Sequence, residues 1–217
     1  AWFANLLQAP EKNTWGYVTN GGTEGNLYGL YLARELHPEA IFYFSEETHY
    51  SVAKNLSLLG VRNIMIKCRP GGEMDIEDLR ETLRLHRDAP AVVLVNIGTT
   101  MKGAVDDVSA VRALLETLAL RQFYIHADAA LSGMILPFVD HPQPFRFPDG
   151  IHSISISGHK LIGAPMPCGV VLAHRRHVDR IARAVEYVGV LDTTITGSRN
   201  ALSPLILWHA IQSMGHE

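Results

Sequence analysis

Apolar residues recur along the chain in two alternating rhythms. Short runs rich in β-branched or aromatic residues read as strands: Trp15 to Thr19, Ile41 to Phe44, Arg62 to Lys67, Ala91 to Asn96, Gln122 to His126, Ser153 to Ser157 and Gly169 to Ala173. Between them the spacing widens to three and four residues, which predicts helices. One begins at Thr23 and ends before His37-Pro38; another spans His49 to Leu59 and stops at Gly60. Further helices are predicted from Ile76 to His86, behind Asp75, from Val108 to Ala119, and from Arg175 to Val185. The unbroken run Ala91-Val-Val-Leu-Val95 marks a strand buried on both faces. The alternation in Ser153-Ile-Ser-Ile-Ser157 marks a strand with one buried face.

Strand alternating with helix predicts an α/β fold, a mainly parallel sheet with helices on both faces. The stretch Pro137 to Pro148, crowded with proline and aromatic residues, is expected to be a covering segment without regular structure. Neither a repeat nor a linker divides residues 1–217, so they read as one domain. Both ends fall inside apparent helices, as expected for a piece of a longer chain.

Composition narrows the picture little. Hydrophobic residues make up 47% and charged residues 19%, values of a globular protein. The formal charge of −3 carries no basic footprint for nucleic acid. No apolar run approaches the ~20 residues of a membrane helix, and no signal peptide is evident at the start, so a cytoplasmic protein is expected. Cys68 and Cys168 lie a hundred residues apart and read as reduced thiols; the eleven histidines form no metal-binding pattern.

Four segments at strand ends carry candidate chemistry. Asn20-Gly-Gly-Thr-Glu-Gly-Asn26 lies between a strand and a helix, where unpaired N–H groups and the helix dipole favour an anion such as phosphate. The same turn also serves as an ordinary helix start. His49 opens a helix directly after a strand, where it can lie flat on an aromatic ligand or merely cap the helix. Asp128, in His126-Ala-Asp-Ala-Ala130, can hold a protonated ring nitrogen or cap a helix; His126 and Asp128 can also be two metal ligands, although no third is visible. Lys160 follows the Ser153 strand. It reads either as a solvated turn lysine or as an amine among apolar neighbours, kept neutral and nucleophilic towards a carbonyl. In an open α/β sheet such strand ends converge on one crevice. A phosphate cradle, a carboxylate for a pyridine nitrogen and a Schiff-base lysine together meet the needs of pyridoxal 5′-phosphate.

Gly21-Gly-Thr-Glu24, His49, Gly98-Thr-Thr100, His126-Ala-Asp-Ala-Ala130 and Ser157-Gly-His-Lys160 resemble, in order and spacing, the group II pyridoxal-phosphate decarboxylases. Within that group Gly16 to Asn26, Leu131 to Asp140 and Gly197 to Asn200 are most similar to bacterial histidine decarboxylases, with plant serine decarboxylases next. The resemblance covers essentially the whole chain. It implies the large domain of a fold-type-I, aspartate-aminotransferase-like enzyme, lacking an N-terminal segment and a C-terminal small domain. By the same resemblance Lys160 bonds the cofactor aldehyde, Asp128 pairs with the ring nitrogen, and His49 and Ala130 pack on opposite ring faces. Gly22, Thr23, Ser157 and His159 hold the phosphate, and Thr100 lies near the ring or its hydroxyl. Tyr187 reprotonates the substrate carbon, and Ser198 discriminates substrates, reaching into the neighbouring site of a homodimer. Ala201-Leu202 stand where the family pattern leads one to expect Gly-His. The implied activity is amino-acid decarboxylation, histidine to histamine, with serine or another amino acid as the alternative substrate. A fold-type-I aminotransferase or lyase, and a non-catalytic binding protein on the same scaffold, are the rivals of other classes.

Overall fold

The computed structural model describes residues 1–120, 122–185 and 190–214. In chain order they form α1 (Trp2–Leu6), β1 (Thr14–Thr19), α2 (Gly22–Leu36), β2 (Ile41–Ser45), α3 (Ser51–Leu59), β3 (Arg62–Ile66), α4 (Ile76–Leu85), β4 (Ala91–Asn96), α5 (Val108–Thr117) and β5 (Phe123–Asp128). There follow β6 (Ser153–Ser157), β7 (Gly169–His174), α6 (Arg175–Ile181), β8 (Arg183–Val185), β9 (Val190–Asp192) and α7 (Leu202–Met214). Seven strands form one sheet in the order β1-β7-β6-β5-β4-β2-β3. Strand β7 runs antiparallel to both neighbours, while the pairs from β6 through β3 are all parallel. The expected mainly parallel α/β sheet is what forms.

Two apolar layers cover it. Leu79 and Leu83 of α4 and Val108, Val111 and Leu114 of α5 pack with Val93, Val95, Ile154 and Ile156. Tyr28 and Leu32 of α2, Val52 and Leu56 of α3 and Val178 of α6 pack with Val92, Leu94 and Val171 on the other side. Successive side chains of a strand point to opposite faces. An unbroken apolar run in β4 is therefore what a sheet covered on both sides demands.

In β6 the alternation has a different meaning from the one expected. All five residues are buried, so the serine face is not solvent-facing. Ser155 and Ser157 lie under α2, whose Gly22, Gly25 and Gly29 turn towards the sheet. A Cβ on Gly25 would collide with Ser155, and one on Gly29 with the His126 ring. Glycine opposite serine lets this helix lie unusually close to the sheet, at the cost of helix propensity of about 1 kcal/mol per glycine.

Other boundaries shift. The helix predicted over 175–185 ends at Ile181, because Ala182 is extended and Arg183–Val185 pairs antiparallel with Val190–Asp192. The predicted start at His49 moves to Ser51, with His49 in the preceding turn. The segment 137–148 contains parts of two short 3-10 turns, Leu136–Phe138 and Phe147–Asp149. Among the described residues no helix is long and apolar enough to cross a membrane.

Candidate active site

The parallel strands end on one side of the sheet, where Asn96 of β4 lies level with Asp128 of β5, and Asp128 with Ser155 of β6. Above these ends is a cavity of about 240 Å³. Gly22, Thr23, His49, Thr100, Asp128, Ala130, Ser157, His159 and Lys160 all line it. Segments separated by more than a hundred residues of sequence thus meet around one space.

One wall is the amino end of α2. Gly21 enters it with φ 134°, a conformation open to glycine and strained for any residue with a Cβ. The first intrahelical hydrogen bond runs from Gly25 N–H to the Gly21 carbonyl, so the N–H groups of Gly22, Thr23 and Glu24 precede the helical ladder. The Glu24 carboxylate is engaged elsewhere: it accepts the Asn20 backbone and side-chain N–H groups (2.8 and 2.7 Å) and the Tyr17 hydroxyl (3.1 Å). A Cβ at Gly22 would meet Ser157 Oγ at 2.9 Å and Ala130 Cβ at 3.2 Å, so the glycine keeps the cradle open. His159 completes this side, its Nδ1 held between the carbonyl (2.9 Å) and the amide (3.2 Å) of Cys168.

A second part of the lining is acidic. Asp128 is the last residue of β5, and the strand extends two residues beyond the predicted end. Its Oδ2 accepts the Asn26 side-chain amide at 2.7 Å and its Oδ1 the Ala130 N–H at 3.1 Å. The alternative in which it caps a helix does not arise, since a turn follows. Burial pushes its carboxyl above the usual range, opposed by the Ala130 and Asn26 hydrogen bonds and by the nearby charges of Lys160 and His49. His126 does not join Asp128 as a metal ligand: its two nitrogens contact Ser153 and Asn26, and among the described residues no group of three ligand-type side chains is suitably placed.

His49 is half-buried at the cavity edge, its Nδ1 2.8 Å from Ser51 Oγ and 3.3 Å from the Ser51 N–H, which leaves the proton of the neutral ring on Nε2. Lys160 is exposed, among polar lining groups, and not packed between apolar neighbours as the sequence suggested. Ser198 is exposed and outside the lining, although Asn200, two residues on, donates to Asn20 at 3.2 Å and so ties that loop to the cradle turn. Tyr187 lies outside the described residues. The cavity also takes in Asn26, Ser51, Asn96, Thr99 and Pro167, to which the sequence assigned no individual role. For two of them a signal existed. Asn26 is a polar residue on the glycine face of α2, and Asn96 ends an otherwise wholly apolar strand.

Anion donors, an acceptor carboxylate, an amine and a flat imidazole around one cavity fit a planar aromatic ring bearing phosphate, ring nitrogen and aldehyde. The pyridoxal-dependent decarboxylase conserved domain matches residues 1–217. The chain belongs to the pyridoxal-dependent decarboxylase family. Pyridoxal 5′-phosphate is accordingly its cofactor. Among members of this family, it is 50% identical over 218 residues to a histidine decarboxylase of Morganella morganii, covering 100% of this chain and 58% of that protein. It is 52% identical over 215 residues to a histidine decarboxylase of Mesorhizobium japonicum, covering 99% and 58%. The chain thus spans 58% of the length of each of these two relatives. A solved structure of L-methionine decarboxylase from Streptomyces sp.590 superposes with a TM-score of 0.87 at 26% identity, covering 97% of this chain and 62% of that one. A sphingosine-1-phosphate lyase from Burkholderia pseudomallei shares the fold at 21% identity, with a TM-score of 0.84.

Proposed function

We propose that the whole protein is a pyridoxal 5′-phosphate-dependent L-histidine decarboxylase that forms histamine and carbon dioxide, and that residues 1–217 are its large, cofactor-binding domain. The observation that carries the reading is the opening of Lys160, Asp128 and the amino end of α2 into one cavity. The choice of histidine is supported by relatives of that name at about half identity along the whole chain.

When bound, pyridoxal phosphate supplies an aldehyde that bonds amines and a pyridinium ring that accepts the electron pair left as carbon dioxide departs. The N–H groups of Gly22 and Thr23, the hydroxyls of Thr23 and Ser157, and His159 hold the phosphate. Asp128 would accept a hydrogen bond from the protonated ring nitrogen and so hold the proton on the ring, which makes the charged, electron-withdrawing form persist at neutral pH. His49 covers one ring face and Ala130 the other, with Thr100 beside the ring. Lys160 is the amine for the aldehyde, and its exposure leaves it reachable by a substrate amine. Tyr187 supplies the proton to the substrate α-carbon. Ser198 sorts substrates, in a homodimer whose loops reach the neighbouring site. The free thiols Cys68 and Cys168 suit a reducing compartment, and the cytoplasm is part of the proposal.

Carbon dioxide release from the full-length protein, measured across a panel of amino acids, tests the reading. The highest kcat/KM is expected for L-histidine. A preference for serine or another amino acid would replace the substrate, and cofactor binding with no release from any of them would replace the enzyme by a binding protein.

A further inference from the structure

From Asp128 and Asn26 at the cavity wall, a file of buried polar side chains runs back through His126 to Ser153, joining α2 to the sheet. Asn26 (2% exposed), His126 (0%) and Ser153 (0%) come from three different elements, and no step assigned above uses His126 or Ser153. Ser153 Oγ lies 2.7 Å from His126 Nδ1, His126 Nε2 lies 3.1 Å from Asn26 Oδ1, and Asn26 Nδ2 lies 2.7 Å from Asp128 Oδ2.

The chemistry of each group sets one direction for the whole file. A carboxylate accepts, so Asn26 must present its NH2 to Asp128 and its carbonyl to His126. His126 must then carry its proton on Nε2, which leaves Nδ1 to accept the Ser153 hydroxyl. Every hydrogen points towards Asp128. Burial pushes the His126 pKa down to about 3, so the ring stays neutral and this tautomer persists. The ring lies against Gly29, where no Cβ fits. An apolar side chain could fill that space with no buried polar group to satisfy, whereas an unpaired imidazole there would cost about 1–3 kcal/mol.

We propose that Asn26 and His126 are positioning residues: through this one-way chain they fix the rotation of the Asp128 carboxylate, so that its remaining lone pairs face the ring nitrogen. The inference rests on the reading of Asp128 as the ring-nitrogen partner. Asn26 and Ala130 offer Asp128 one N–H on each oxygen and no acceptor, so a protonated carboxyl would find no partner for its hydrogen on this side. The file thereby favours the ionised carboxylate that burial alone would disfavour.

The test uses the full-length holoenzyme with His126→Leu, Asn26→Leu, His126→Gln and Asp128→Asn. Cofactor affinity is read by quenching of tryptophan fluorescence, ring-nitrogen protonation by the ¹⁵N resonance of labelled pyridoxal phosphate, and folding by thermal unfolding. Both leucine variants are expected to weaken cofactor binding about tenfold and to move the resonance towards unprotonated pyridine. His126→Gln, which keeps an N–H at the Nε2 position, is expected to return both readouts most of the way. Folded leucine variants with wild-type affinity and resonance, alongside an Asp128→Asn variant that changes both, overturn the chain alone. Asp128→Asn with both readouts unchanged overturns the reading of Asp128 itself. If the leucine variants do not fold, Asn26→Ala, at a helical position that suits alanine, decides by the same two readouts.

Discussion

Two buried aspartates stand a strand apart, and they have opposite fates. Asp106 is fully buried, and its oxygens accept the Met74 N–H (2.7 Å), the Asn96 N–H (2.7 Å) and the Asn96 side-chain amide (3.1 Å). Asp128, 7% exposed, accepts Asn26 and the Ala130 N–H and turns its remaining capacity into the cavity. Burial raises the carboxyl pKa of both. Burial and a raised pKa therefore do not distinguish a brace from a ligand-facing group; the side on which acceptor capacity remains does. Asp106 acts as a brace: the Asn96 it holds also contacts Ser45 and Thr48, and so steadies the turn that carries His49.

The largest effect expected lies outside the pair and sets its scale: Lys160→Ala should abolish carbon dioxide release with the melting temperature unchanged. Between the two aspartates the outcomes should cross. Asp106→Ala leaves the buried Met74 and Asn96 N–H groups without an acceptor and frees the Asn96 side chain, and should lower apo-protein stability by about 3 kcal/mol in urea unfolding. Asp128→Asn removes a buried charge but turns an NH2 towards one of the two donors facing it, so apo-protein stability should fall by much less than in Asp106→Ala, yet cofactor should be lost on dialysis. Equal destabilisation by both would erase the contrast.

Acid should add a third, graded effect. Burial pushes His126 and His152 to about 3 from an ordinary 6.5. Both rings take up protons on unfolding in that interval, so their stabilisation is complete above pH 6.5 and is lost as pH falls towards 3. The aspartates carry the opposite sign: raised carboxyl pKa values favour the fold most below the ordinary carboxylate range and less as pH rises. The histidine contribution amounts to about 1.4 kcal/mol per pH unit for each ring. It should appear as a falling urea midpoint between pH 6 and 5, flattened in His152→Asn. Smallest is His49→Ala, expected to raise the cofactor Kd about tenfold through lost ring stacking, with His49→Phe restoring most of it by equilibrium titration.

Much of the site is legible in the sequence because strand ends in a parallel sheet share one edge, and Gly22, His49, Asp128 and Lys160 each follow or end a strand. What escaped depends on partners distant in sequence. The serines of β6 look like a wet face until α2 is laid over them. His126 looks like half of a metal pair until Asn26, a hundred residues earlier, occupies its Nε2. The end of α6 at Ile181 depends on a hairpin partner at Val190–Asp192, which helical periodicity cannot reveal.

The contact of α2 with the sheet has one last consequence. Because the first turns of this helix rest on the hydroxyls of Ser155 and Ser157, with glycine above them, its leading end sinks level with the strand tips. On the proposed reading, the distance from there to the tip of β6 is the span a phosphate-bearing ring would bridge to reach Lys160. Branched side chains at Ser155 and Gly25 would collide and push that end away from the sheet, lengthening the span. Small residues far below the chemistry thus act as the gauge that sets its dimensions.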